Sequence, residues 1–249
     1  MIAVWFSCGA ASAAALKLTL ERFPGEDVRA VNQPIAEEHP DNRRFLADVA
    51  EWCGVKIETF TNPKFPHASA EQTWAQRKAM VFPHGAPCTV HLKKEARQEW
   101  ERINRPDWHV LGFTADERDR HQRFVEGERE NVIPVLIDAA MTKVDCGDLI
   151  RSAGIRLPAI YDLGFPNANC LGCVKATSPT YWNHVRRHFP DVFARRAEQS
   201  RALGVRLVRV AGERIFLDEL DPAARGEPMW SMPPCSLFCE EWTPPARAA

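Results

Sequence analysis

The sequence predicts an α/β protein: a mostly parallel sheet of five strands with helices on both faces, followed by a cysteine-bearing C-terminal extension. Three observations predict it. Short apolar runs alternate with stretches of helical periodicity through the first half of the chain, the pattern of a parallel sheet with crossover helices. The first run, Ile2–Phe6, is apolar throughout, as a strand covered on both faces is. It runs directly into the small residues 7–12, SCGAAS, where a strand would turn into a helix.

The elements follow in order. Residues 13–23 read as a helix, with Leu16, Leu20 and Phe23 at helical spacing. Residues 28–33 form a second strand. A helix over 40–52 has Pro40 near its start, Phe45, Leu46 and Val49 on its apolar face, and Gly54 past its end. Residues 55–60 alternate as a third strand, and 70–80 form a helix. A fourth strand spans 108–113 and a charged helix 116–128. Residues 132–137 make a fifth strand, which Pro134 keeps short or at an edge. A short helix is expected over 145–153, and a loop carrying Cys170 and Cys173 over 158–174. A long basic helical region covers 179–203, broken near Pro190. Residues 205–210 and 214–217 flank Gly212 as a small hairpin. The tail from Pro222 is rich in Pro and Ala, yet Trp230, Cys235, Phe238, Cys239 and Trp242 give it the make-up of a segment that docks.

Composition narrows the function classes. The chain has 249 residues, 45% hydrophobic and 26% charged, with a formal net charge of −1. Such a balance creates no global field for nucleic acid or an anionic membrane. No apolar run approaches the ~20 residues that span a bilayer. Ile2–Phe6 is too short, and lacks the basic flank, for a secretory signal. The expectation is a cytoplasmic protein with no membrane contact. Eight cysteines in such a chain do not read as a disulfide framework. Buried thiols account for Cys53 and Cys146. Cys170 and Cys173, two residues apart in a loop, point to metal or redox chemistry.

The strand, small-residue turn and helix start at 7–12 make an anion site. Backbone N–H groups point outward, the helix dipole favours negative charge, and Ser7 and Ser12 add hydroxyls. A plain tight turn is the alternative, and the Gly-Lys-Ser/Thr ending of a Walker loop is absent. Arg118 and Arg120 offer forked donors for phosphate or sulfate, or else a solvated helix face. His39 and Asp41 follow the second strand, where Asp41 also suits a helix start. Tyr181, Trp182, His184, Arg186, Arg187 and His188 read either as a nucleic-acid-facing helix or as a packed helix with a wet basic face.

Four stretches together resemble a known family. Ser7-Cys8-Gly9-Ala10-Ala11-Ser12 resembles the Ser-Gly-Gly-x-Asp-Ser loop of the PP-loop, or adenine nucleotide alpha hydrolase-like, superfamily. Cys8 stands for a glycine and Ala11 for the aspartate. Within that superfamily the chain is similar to the phosphoadenosine-phosphosulfate (PAPS) reductase-like family of the iron–sulfur type. LGFTADERDR, 111–120, resembles the segment after the fourth strand, with Gly112, Arg118 and Arg120 toward the nucleotide. CTVHLKK, 88–94, resembles a Cys-Cys-x-x-Arg-Lys stretch. There Cys88 and Lys93 match, while Thr89 and Leu92 replace the second cysteine and the arginine. LPAIYDLGFPNANCLGC, 157–173, resembles the stretch leading into Cys-x-x-Cys.

The resemblance implies a domain over 1–175, binding ATP or another adenine nucleotide through Ser7, Cys8, Gly9, Ala10, Ala11, Ser12, Gly112, Arg118 and Arg120. Residues 176–249 are then a helical, hairpin and tail extension. The resemblance also implies a [4Fe–4S] cluster on Cys88, Cys170 and Cys173, with Cys239 or Cys235 closing it or the fourth iron left open. Zinc suits four thiolates equally by spacing. Lys93, Cys235 and Cys239 are the catalytic candidates, although the family's Glu-Cys-Gly tail motif is not kept around Cys239. The implied activity is nucleotide-dependent sulfur transfer, with a sulfur or electron donor protein, tRNA or DNA as acceptor, Mg2+ as a further cofactor and a homodimer as the assembly. Sulfonucleotide reduction with sulfite release, and a non-catalytic nucleotide-binding module, are the alternatives. Ala11 bears on metal-assisted ATP cleavage, because a carboxylate is missing there.

Overall fold

The computed structural model describes residues 1–82 and 85–231. The described chain divides into two units. The first comprises Met1–Pro34, Pro40–Thr61 and Ala96–Asp162; the second comprises Ile35–His39, Asn62–Glu95 and the described residues from Leu163 on.

The first unit is the sheet. Strands β1 (Ile2–Phe6), β2 (Val28–Asn32), β3 (Ile57–Thr59) and β4 (Trp108–Val110) pair in parallel in the order β3-β2-β1-β4. All five residues of β1 are buried, as their uninterrupted apolar run requires of a central strand. Helix α1 (Ala10–Arg22) lays Ala13, Ala14, Ala15 and Leu16 into the core with Phe45 and Val49 of helix α2 (Asn42–Cys53). The alanine run is what lets α1 lie close to the sheet. Gly54 ends α2 in the left-handed region, φ 66°, where a residue without Cβ adopts the turn without strain.

The α/β architecture matches the sequence expectation, but the sheet has four strands rather than five. Residues 132–137 do not form the fifth. Val132 makes a single parallel bridge to His109, after which the chain winds into helix α6 (Val135–Asp138), preceded by helices α3 (Ala70–Arg77), α4 (Glu95–Asn104) and α5 (Arg118–Gly127). Pro134, at the N-cap of α6, has no N–H to donate to a ladder, so pairing stops at the bridge. Helices α7 (Lys143–Ser152) and α8 (Ala159–Asp162) complete the unit.

The order matters for function. Chain connections run from β1 through β2 to β3 on one side of β1, then return to β4 on the other. The β1–β4 boundary is therefore the topological switch point, the end of such sheets at which ligands bind.

The second unit holds α3, a π-helical segment (Thr89–Lys94), helices α9 (Pro179–His188) and α10 (Pro190–Ala202), and the antiparallel hairpin β5 (Val208–Val210) and β6 (Glu213–Ile215). The break between α9 and α10 falls at Pro190, as expected, because proline suits the first turn of a new helix. Tyr181 and Trp182 are buried, and the Trp182 indole donates to Ala176 O at 2.8 Å. Arg186 lies over the Phe193 ring and donates to Leu220 O at 2.8 Å. The aromatic and basic residues of α9 thus belong mostly to packing, with Arg187 exposed. Cys235 and Cys239 lie outside the described residues; of the tail expected to dock, the described part is held by Ser178 Oγ donating to Glu227 O at 2.6 Å, while Trp230 is exposed. Among the described residues no helix is long and apolar enough to cross a membrane.

Candidate functional site

The loop after β1 sits at the switch point. Gly9 is the N-cap of α1, with extended backbone and no side-chain cap, and the first turn of α1 carries no acidic residue. The first amides of a helix have no acceptor within it, so this 13-residue helix, whose N-cap glycine supplies no side-chain cap, presents a positive dipole end and, beyond the Ala10 N–H that Tyr161 accepts, its first donors. Ser12 does not add a hydroxyl to that end. Its Oγ donates to Gly9 O at 2.9 Å and accepts from the Ser7 backbone N–H at 3.1 Å, closing the loop on itself. Ser7 is exposed, and its own hydroxyl lies 3.3 Å from Ser12 Oγ. The loop is a hydrogen-bonded cradle of backbone around the start of α1.

Two residues shape the cradle in ways a motif does not show. Cys8, standing where the family has glycine, takes φ 56°, the left-handed region that costs an L-residue about 1–2 kcal/mol. It is buried, and Asn32 Nδ2 bridges its Sγ at 3.6 Å and Phe6 O at 2.9 Å. Gly112, just past β4, faces the helix start: a Cβ there would come within 2.9 Å of Ser12 N and 3.0 Å of Ala11 C. The loops after β1 and β4 therefore touch backbone to backbone, and only glycine allows it. The structure brings Ser7, Cys8, Gly9, Ala10, Ala11, Ser12 and Gly112 together.

Arg118 and Arg120 lie on the segment after β4 but are engaged elsewhere. Arg118 donates to Ile137 O at 3.3 Å. Arg120 pairs with Glu117 and lies over the Phe113 ring. Tyr161, inside the YDLGF stretch and outside the residues expected at the site, also reaches the loop amides. Its Oη accepts from Ala10 N–H at 3.4 Å. No spacing in the sequence relates residue 161 to residue 10; the packing of α8 brings it there.

Asp41 and Arg44 hold the start of α8 and the residues just before it. Arg44 donates to the two Asp41 oxygens at 2.7 Å each, and Ala159 N–H donates to Oδ2 at 2.7 Å, while Arg44 also reaches Arg156 O and Leu157 O. The helix-start reading of Asp41 is thus the closer one, though its carboxylate ties α2 to α8 rather than capping α2. The Arg44 hydrogen bond, with the Ala159 N–H, holds the Asp41 carboxyl down to about 2 against the opposing effect of burial. The folded state thus binds fewer protons than the unfolded one between pH 4 and 2. Asp41 contributes stability above about pH 4 that is lost as pH falls through about 2. We expect Asp41→Asn to lower stability at pH 7 by about 2 kcal/mol and to flatten acid unfolding in that window, read by denaturant titration across pH.

The cysteine candidates belong to the second unit. Cys170 and Cys173 flank Gly172, whose φ of 65° turns the chain between them. Glu38 forms an antiparallel bridge with Cys170, and the buried ammonium of Lys93 lies 3.4 Å from Glu38 Oε1. Lys93 stands in the π-helical segment, a winding found disproportionately at functional sites. The segment is fixed by His91, which lies 2.9 Å from Glu95 Oε1, accepts from Arg77 at 2.8 Å, and stacks on Phe65. Thr89, in the place of the family's second cysteine, buries a hydroxyl that has no partner among the described residues.

Among the described residues no three His, Cys, Asp or Glu side chains gather into a metal-binding group. They supply a thiol pair at Cys170 and Cys173, and Cys88 does not complete a third ligand with them. A [4Fe–4S] cluster needs a fuller donor set. The described residues alone do not fit it, and Cys239 and Cys235 lie outside them.

No protein-family model matches the chain. No curated protein matches it either. Among solved structures, the chain is similar to phosphoadenylyl-sulfate (PAPS) reductase from Candida auris in its phosphate complex. Identity is 10% over 68% of this chain and 80% of that one, with a TM-score of 0.48. It is also similar to U34-tRNA thiolase NcsA from Methanococcus maripaludis with its [4Fe-4S] cluster. There identity is 12% over 81% of this chain and 69% of that one, with a TM-score of 0.46.

Proposed function

We propose that the chain is an adenine-nucleotide-dependent sulfur-transfer enzyme. The observation that carries this reading is the uncapped start of α1 at the switch point, pressed against Gly112. Such a start receives the phosphate or sulfate end of a nucleotide on backbone donors. The Cys170–Cys173 pair handles the sulfur. Lys93, ion-paired with Glu38 on the segment that bridges to Cys170, supplies positive charge in that unit. Activation of a nucleobase of tRNA or DNA by ATP, followed by sulfur delivery, is the class of reaction proposed. A [4Fe–4S] cluster or zinc, if held by the thiols with Cys239 or Cys235, would fix the sulfur being transferred.

One observation favours a second reading. No acid stands in the first turn of α1, where Ala11 occupies the aspartate position. Cleavage of a Mg2+-bound pyrophosphate loses a carboxylate there. Attack of a thiolate on the sulfur of adenosine phosphosulfate, which expels AMP and leaves an enzyme thiosulfonate from which a second thiol releases sulfite as a disulfide forms, does not need it.

Calorimetric titration of anaerobically purified protein with ATP, with and without Mg2+, and with adenosine phosphosulfate tests the readings. Saturable binding of ATP without sulfite release from the sulfonucleotide is the expected result. Sulfite release that Cys239→Ser or Cys235→Ser abolishes would put reduction first. Binding of neither nucleotide would sink both. Iron, sulfide and zinc counts on the same sample decide between cluster and zinc.

A further inference from the structure

None of the stretches that resemble the family reaches the β5–β6 hairpin. Its strands pair Val208 with Ile215, Arg209 with Arg214, and Val210 with Glu213. Successive side chains of a strand point to opposite faces. One face therefore holds Val208, Val210, Glu213 and Ile215, and Val208 is buried there. The other face holds Arg209 and Arg214, directly opposite each other and both exposed. Like charges in that position destabilise a strand pair. The Arg214 guanidinium lies below its ordinary range, first through partial burial and then through the charge of Arg209.

No carboxylate relieves this pair among the described residues. The Arg209 side chain has no hydrogen-bond or ion-pair partner there. Arg214 donates to Leu207 O at 3.2 Å and to Arg206 O at 3.5 Å. Arg206 is exposed too, and lies over the Phe216 ring, 5.3 Å from the centroid. Asp218 and Glu219 are taken by Arg201, and Glu213 stands on the opposite face. Three arginines thus lie side by side with their charge unspent. The Arg209 N–H donates to Thr177 O at 2.8 Å, which ties the hairpin to the chain just beyond Cys173.

The make-up of the face selects its partner. The core of a protein–protein interface is apolar and poor in charge, whereas the hairpin exposes no large apolar side chain. Interfaces with nucleic acid are polar and strongly positive, and forked guanidiniums suit phosphate. Two strands of three residues make a small patch, so the phosphates it meets must be close together. The narrow major groove of A-form RNA brings two backbones near each other, whereas that of B-DNA is about 12 Å wide.

We propose that Arg206, Arg209 and Arg214 form a docking surface for the phosphate backbones of double-helical RNA. The inference rests on the reading of the acceptor as a nucleic acid, and names its class. The surface holds that acceptor beside the segment that carries Cys170 and Cys173. Repulsion between Arg209 and Arg214 weakens the free hairpin, and a bound phosphate removes it.

The test titrates the full chain, Arg206→Gln, Arg209→Thr and the double variant with a fluorescent RNA stem-loop over a salt series. Wild-type affinity is expected to fall steeply with salt, and each substitution to lower the slope of log affinity against log salt by about one. Threonine suits a strand, so Arg209→Thr is expected to melt at or above the wild-type temperature, which loss of a merely structural arginine would not give. The same slope in wild type and double variant would overturn the proposal. Equal binding of duplex DNA or of polyglutamate would overturn it as well, and would make the face a surface for any polyanion or for an acidic protein. Should the double variant not fold, the slopes of the two single variants decide. A chain that binds ATP but not the stem-loop sinks the docking surface alone. One that binds the stem-loop with the expected slopes but neither ATP nor adenosine phosphosulfate sinks the nucleotide reading and leaves the surface standing.

Discussion

Gly112→Val is expected to lower adenine-nucleotide affinity at least tenfold and to destabilise the fold by about 1–3 kcal/mol. The reason is geometric. The added Cβ would lie 2.9 Å from Ser12 N, 3.0 Å from Ala11 C and 3.2 Å from Ser12 Cα. All three are backbone atoms, so no flexible side chain can swing away, and the start of α1 must shift relative to β4. Overpacking of this kind costs about 1–3 kcal/mol. The same shift turns the first amides of α1 away from a bound anion, and each ~1.4 kcal/mol lost there is a factor of ten in affinity. Gly9→Ala is the control. Gly9 has extended backbone, and its Cβ would meet Tyr161 Oη at 3.4 Å, an ordinary contact. That variant is expected to cost less than about 1 kcal/mol and to keep most of the affinity. Calorimetric titration and thermal melting of the two variants read both quantities. Equal losses would show that the contact between the two loops does not set the geometry of the cradle.

Arg196→Ala is expected to cost about 3–5 kcal/mol, the largest stability effect among the variants considered. Burial works to raise the Glu71 carboxyl, but its hydrogen bonds and charge pairing with Arg196, with help from Arg195 and Gln199, hold it below the ordinary range. Removing the guanidinium leaves that carboxylate half-buried with fewer donors. It also leaves the Leu171 and Gly172 carbonyls without theirs and opens a space beside Trp74. Denaturant unfolding at pH 7 measures the loss. Because Glu71 is partly exposed, the simultaneous variant Glu71→Gln is expected to recover part of it, by removing the charge that is left unpaired. A cost under about 1 kcal/mol would mean that the turn and α3 hold their places without the buried cation.

The α/β class was legible from local chemistry alone. A continuously apolar Ile2–Phe6 followed by small residues admits little but a buried strand running into a close-packed helix. The hairpin around Gly212 and the break at Pro190 were legible for the same reason: each depends on the backbone preferences of one or two residues. The fifth strand failed on a local property too. Pro134 was visible, but whether the chain beyond it pairs or winds depends on the neighbours that Val135, Leu136 and Ile137 find, and those lie in the core beside α1.

The candidate site divides in the same way. By itself the sequence determined the small-residue loop, the glycine after β4, the paired cysteines and the missing acid at Ala11, because residue identity and spacing are one-dimensional facts. Only the tertiary structure decided that Gly112 rather than Gly9 carries the steric demand, that Cys8 takes the left-handed backbone, and that Ser12 closes the loop instead of opening it. It also brought Tyr161 to Ala10, and Arg196 and Tyr181 to the cysteine turn, across separations from 8 to 151 residues. Hydrogen bonds and steric contacts at such distances depend on where elements pack. Packing is set by the whole core, so no single stretch of the chain carries that information.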